Sequence, residues 1–137
     1  MTQMTEVNVA EATGAALDWL TGSTEGLNLV ADRGEYGTGP RVFLILEHGI
    51  FRYRPSTEWS QGGPLLDKHC KSFGCVQDST GSNWRSLAYG NSDACDSIKT
   101  MRLAGGPTIL IAACRAIVTA KLGDKVMVPA ELTGGDL

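Results

Sequence analysis

Residues 54–66 read RPSTEWSQGGPLL, and they hold the densest set of groups in the chain that could bind a ligand. Ser56, Thr57 and Ser60 supply hydroxyls, and Gln61 can both donate and accept a hydrogen bond. Trp59 offers a flat face on which a base can stack, a contact worth about 1–3 kcal/mol in nucleic-acid complexes. Gly62 and Gly63 permit close approach to the main chain and positive φ. Successive amides in such turns make an anion-binding concavity. Just upstream, Arg52 and Arg54 stand two residues apart, so a strand would place them on one face, where they can grip a phosphate bidentately. The chemistry this combination suits is recognition of a nucleotide-sized anion.

A purely structural reading of the same stretch competes with it. Pro55 followed by Ser56 and Thr57 is also a good helix start, with Glu58 favouring the first turn. Trp59 would then point into the core, and Gly62 and Gly63 would end that turn. Other candidates carry the same double reading. Thr108, in GGPT, opens a helix whose N-terminus can hold an anion or simply be capped. Arg115 interrupts an apolar helix and either lines a pocket or pairs with a buried carboxylate, the latter favoured because buried charges need partners. Trp84, in GSNWRSLAY, either adds a second stacking surface or packs in the core. Asp18 and Trp19 read as a helix face.

Catalysis and cofactor binding find little support. His48 falls in a hairpin turn and His69 beside a cysteine, and neither belongs to a triad-like or metal motif. There is no Walker loop and no dinucleotide fingerprint, so no cofactor is expected. Cys70, Cys75, Cys95 and Cys114 are irregularly spaced. They are read as reduced thiols, Cys114 as a small core residue. A zinc site through His69, Cys70, Cys75 and Cys95 is the weaker reading, because adjacent His69 and Cys70 do not readily bind one ion together.

The elements that must position these residues follow from periodicity. EVNVA at 6–10 alternates like a short strand, and TGAALDWLTG reads as a helix with Thr13 as N-cap, Ala16, Leu17 and Leu20 as its apolar face, and Gly22 as its stop. LNLVA is either a short strand or part of a long loop over 23–40. Residues 41–54 read as a hairpin, with strands 41–47 and 50–54 around a turn at His48 and Gly49. Val42, Leu44 and Leu46 face one way, Phe43 and Ile45 the other. KSFGCVQ and NWRSLAY read as strands. NSDACDSIKTMRLAGG holds a short helix or only a loop. PTILIAACRAIVTAKL is apolar nearly all round and should be a buried helix, with Pro107 at its first position and Gly123 just past its end. DKVMVP is a final strand, and residues 129–137 read as a loose tail. The expected architecture is one α+β domain over 1–137. It has a mostly antiparallel sheet, with an N-terminal helix and a buried C-terminal helix on one face.

Composition sets the outer limits. The chain has 137 residues, 42% of them hydrophobic, which is enough for a real core. A formal net charge of −3 argues against general nucleic-acid binding, which usually needs a basic face. No stretch reaches the roughly 18 apolar residues of a membrane span, and MTQMTEVNVAEATG has no basic n-region, so a cytosolic, non-membrane protein is expected.

Three segments together, VNVAEATGAALDW, RPSTEWSQGGPLL and GGPTILIAACRAIVTAKLGDKVMVP, resemble the NinX-like family of small bacteriophage proteins. That family carries a Thr-Gly-Ala-x-Leu-Asp-Trp helix, a Pro-Ser-Thr-Asp-Trp-x-x-Gly-Gly-Pro loop and a Gly-Pro-Thr helix. Here Glu58 replaces the usual aspartate and Ile109 a frequent proline. The resemblance implies a phage accessory protein made inside an infected bacterium. With the loop chemistry, the expected function is non-enzymatic capture of a small anionic ligand, such as a host nucleotide immune signal of cyclic-nucleotide or ADP-ribose type. A homo-oligomer would complete the pocket. The alternative is an interaction accessory that docks a host or phage protein through residues 55–64.

Overall fold

A computed structural model describes residues 3–34, 39–78, 81–89 and 101–133. In order they form β1 (Met4–Asn8), a 3-10 turn (Val9–Glu11), α1 (Gly14–Thr24), β2 (Leu29–Asp32), β3 (Arg41–Leu46), β4 (Gly49–Arg52) and α2 (Trp59–His69). These are followed by β5 (Cys70–Asp78), β6 (Gly81–Tyr89), β7 (Met101–Gly106), α3 (Ile109–Leu122), β8 (Lys125–Pro129) and a closing 3-10 turn (Ala130–Thr133). The fold is α+β, and every strand pair is antiparallel. The pairing is divided among three sheets: β1-β8, β2-β3-β4 and β5-β6-β7.

Helix α3 organises the whole. Its residues Leu110, Ala112, Ala113, Cys114, Arg115, Ala116, Ile117 and Val118 are all buried. One side meets α1 in a cluster with Leu17, Leu20, Val42, Tyr53, Val126, Val128 and Leu132. The other side meets Cys70 and Ala88 of the β5-β6-β7 sheet, with Leu65 and Leu66 of α2 packed alongside. Burying a side chain such as Ile117 or Val118 contributes about 1.5–3 kcal/mol each, so this helix owes its place to packing on two fronts.

Several expectations are corrected. Gly22 does not stop α1, which runs on to Thr24. Gly22 is instead a close-approach point, where a Cβ would lie 2.6 Å from Leu29 Cδ1 and 2.8 Å from Tyr53 Cε2. Pro107 lies outside α3, because Thr108 is the N-cap and accepts from the Ile111 amide at 3.2 Å. Met101–Gly106 is a strand rather than a loop or helix, since it completes a ladder along β6. Residues 129–133 are not a loose tail: the Ala130 amide donates to Gln3 at 2.8 Å and Leu132 enters the core. Residues 90–100, with Cys95, and residues 134–137 lie outside the described residues.

Candidate functional site

The segment 52–57 meets helix α1 at one buried carboxylate. Asp18 is only 5% exposed, yet it is the sole ionisable side chain on α1. Its Oδ1 accepts from the Ser56 amide at 2.9 Å. Burial raises its pKa from the ordinary 3.8 to about 6, against the opposing pull of the Ser56 hydroxyl and amide and of the Arg52 and Arg54 charges. The Ser56 hydroxyl is itself buried and forms no hydrogen bond of good geometry.

Around Asp18 lies a notch of about 180 Å³. Gly14 and Ala15 at the start of α1 form one wall, and Arg41, Arg52, Arg54 and Thr57 bring the polar groups of the other. The three arginines are not equivalent. Arg41 is committed: it pairs with Asp32 at 2.7 Å, directly across the β2-β3 ladder, and its guanidinium lies 5.3 Å from the Phe43 ring centroid. Arg54 approaches Glu58 at 3.6 Å, with both side chains well exposed, which is a weak pairing. Arg52 makes no ion pair among the described residues.

The spacing of Arg52 and Arg54 is fixed by Gln61. Its Oε1 accepts from the Arg54 amide at 2.6 Å and its Nε2 donates to the Arg52 carbonyl at 2.8 Å. The side-chain amide thus continues the ladder where β4 ends and ties α2 to the arginine strand. Gln61, expected as a ligand contact, is not among the residues that line the notch.

The rest of the loop is a helix. Glu58 is the N-cap, Trp59 is the first helical residue, and α2 runs through Pro64 to His69. The Gly62 amide donates to the Glu58 carbonyl at 2.8 Å, so it is spent within the helix and is no open anion concavity. Neither Gly62 nor Gly63 has positive φ. Gly62 is required by close packing: a Cβ there would collide with the Pro55 carbonyl oxygen and sit 2.9 Å from Leu110 Cδ2. Trp59 does not enter the core but is 57% exposed.

The structure therefore brings Arg52, Arg54 and Thr57 together and leaves the other expected residues elsewhere. Ser56 stands behind the notch with its amide on Asp18. Trp84 lies on β6, cross-strand from Cys75 and Gly106. Thr108 caps α3. Arg115 is buried and donates to the carbonyls of Ala12 and Gly105, each at 2.9 Å; its hydrogen-bond partners are backbone oxygens rather than the expected carboxylate. Sequence reasoning missed Asp18, Arg41 and Asp32. The available signal was that GAALDWLTGST contains a single charged residue, which a helix with an almost wholly apolar or small surface has no reason to carry at random.

A second polar cluster joins the C-terminal ends of the three helices. Glu25, just past α1, meets His69 Nε2 at 2.6 Å, Lys68 at 3.2 Å and Lys121 at 3.8 Å. Burial alone would raise the Glu25 carboxyl, but the hydrogen bonds from His69 and Lys68 outweigh it and hold it below its ordinary value. Cys95, the fourth residue of the zinc reading, lies outside the described residues. Cys70 is buried and Cys75 exposed, and among the described residues no three histidine, cysteine or carboxylate side chains gather to hold a metal ion. Burial pushes the Cys114 thiol up to about 12, which makes it an inert core residue.

The family model described as Bacteriophage P22, NinX matches residues 8–121. The chain belongs to that family. The match takes in α1, the arginine hairpin, α2 and nearly all of α3, so every residue of the notch lies within the NinX region. No curated protein matches the chain. Among the described residues of this NinX-family protein, no helix is long and apolar enough to cross a membrane.

Proposed function

We propose that this NinX-family protein is a non-enzymatic binder of a small anionic ligand, with the Asp18–Arg52–Arg54 notch as its anchor. The observation that carries the reading is the buried Asp18 beneath two arginines, one of which makes no ion pair among the described residues. A buried carboxylate with a raised pKa costs stability at neutral pH, and groups perturbed in this way cluster at functional sites. Guanidinium groups suit phosphate and carboxylate. For a protein made by a phage, a host nucleotide immune signal is a natural target, because stoichiometric capture needs no catalytic residues. The site of action is then the cytoplasm of the infected bacterium, and assembly into a homo-oligomer would close the notch.

A ligand that binds only the native state raises the melting temperature. A panel of cyclic nucleotides, ADP-ribose and related nucleotides should give a saturable rise with one class. That ligand should return chemically intact after the complex is denatured. Product accumulating at substoichiometric protein would make the protein a hydrolase instead. One observation favours a second reading: Trp59 is 57% exposed at the start of α2 and can anchor a protein partner. In that case the nucleotide panel gives no shift, and a co-purifying host or phage protein is lost in Trp59→Ala.

A further inference from the structure

The notch is too small to hold a whole nucleotide, but it is not isolated. Gly14, Ala15 and Pro40 line it and also line a second cavity of about 660 Å³ on the other side of the α1 start. That volume falls within the roughly 300–1,000 Å³ typical of ligand pockets, and the notch alone does not. Gly14, which lines both, adds no side chain between them. Its φ is +57°, a conformation that favours glycine, and a Cβ there would meet nothing within 4 Å.

The two cavities have opposite chemistry. The notch presents guanidinium groups. The groove presents the carboxylates of Glu6 and Glu11 beside the apolar surfaces of Val7, Ala12, Ala16 and Leu132. Carboxylates repel a phosphate but accept hydrogen bonds from hydroxyl and N–H groups. The apolar residues give a base or sugar face something to lie on. Thr13 also lines the groove, and its hydroxyl makes no capping hydrogen bond to α1.

Resting on the anion-binding reading above, we infer that notch and groove are two halves of one site for a nucleoside phosphate. The phosphate enters the arginine notch, the chain of the ligand crosses over Gly14, and the nucleoside lies in the groove with its hydroxyl or amino groups on Glu6 and Glu11. Charge sets the orientation, since the reverse pose would place phosphate against two carboxylates.

Isothermal titration with pyrophosphate, adenosine and ADP separates the halves. ADP should bind at least about tenfold tighter than pyrophosphate. Asn8→Trp fills the groove from an exposed position on its wall, and Thr13→Trp does so from another. Either should bring ADP down to the affinity of pyrophosphate while leaving pyrophosphate itself within about twofold. Arg52→Ala with Arg54→Ala should weaken both probes. ADP binding no tighter than pyrophosphate, or unaffected by both tryptophan variants when their melting temperatures match the parent, overturns the two-part site but spares the notch. Pyrophosphate binding that is absent, or unchanged in the double arginine variant, overturns the notch reading and this inference with it.

Discussion

The Ser56 amide donates to Asp18 Oδ1 at 2.9 Å across 38 residues of chain. This bond joins the α1 segment to the turn before α2 and fixes a carboxylate where water is nearly excluded. A buried acceptor that satisfies a backbone N–H is worth keeping, but its charge is not. The tension between those two effects sets the first prediction.

Asp18 holds its proton more tightly in the folded chain, at about 6, than at the ordinary 3.8. Its contribution to stability is therefore fully present below pH 3.8 and is lost as pH rises through about 6. Asp18→Asn keeps an acceptor for the Ser56 amide and removes the charge. The variant should be more stable than the parent above pH 6, by on the order of 2–3 kcal/mol, with the difference shrinking towards pH 4. Urea denaturation at pH 4.5 and 7.5 reads this directly, and a difference that is constant with pH would show that the carboxyl does not titrate in this way.

The same carboxylate should couple anion binding to protons. An anion in the notch meets less repulsion once Asp18 is neutral, so affinity should rise as pH falls through about 6. The steepest slope expected for one coupled proton is about tenfold per pH unit. Sulfate is the clean probe because it does not titrate in this range. Asp18→Asn should flatten the profile while retaining binding. A flat profile in the parent would separate Asp18 from the anion.

The two glycines of α2 make opposite predictions. Gly62→Ala drives a methyl into the Pro55 carbonyl and towards Leu110, and should destabilise the fold by about 3 kcal/mol or more. At Gly63 a Cβ would lie 3.5 Å from Trp59 Cε3, an ordinary contact, and φ is not positive. There Gly63→Ala gains helix propensity and should stabilise by about 0.5–1 kcal/mol. Thermal melts of the pair decide it; equal effects would place both glycines in open space.

That contrast also explains what was legible in the sequence. The hairpin could be read because Val42, Leu44 and Leu46 alternate with Phe43 and Ile45, and in the structure Val42 and Leu44 do meet the core while Leu44 pairs across the ladder with Phe51. Helix α3 could be read because its apolar residues surround it. Of helix α2 only a start near Glu58 could be read, as one of two alternatives, and not its run to His69, because Ser60, Gly62, Gly63 and Pro64 are all poor interior formers. It exists because Leu65 and Leu66 gain a core contact, a tertiary effect that local propensity does not contain. For the same reason Arg52, Arg54 and Thr57 were found from their chemistry, while Asp18 looked like a helix-face residue until the fold closed over it.

Gln61 provides the test of positioning as distinct from contact. Its side chain bonds the backbone of both Arg52 and Arg54 and does not line the notch. Gln61→Ala removes both bonds and should cost about 1–2 kcal/mol of stability. Because the strand end is then free to splay, anion affinity should also fall, by roughly three- to tenfold. Gln61→Glu is sharper: its Oε1 can still accept from Arg54, but the second oxygen now faces the Arg52 carbonyl with no proton to share. It should lose more stability than Gln61→Ala at neutral pH and recover part of it when the glutamate protonates in acid. Urea denaturation of both variants at two pH values, with sulfate titrations alongside, checks all of this. Unchanged sulfate affinity in both would mean that Gln61 holds α2 in place without setting the arginines.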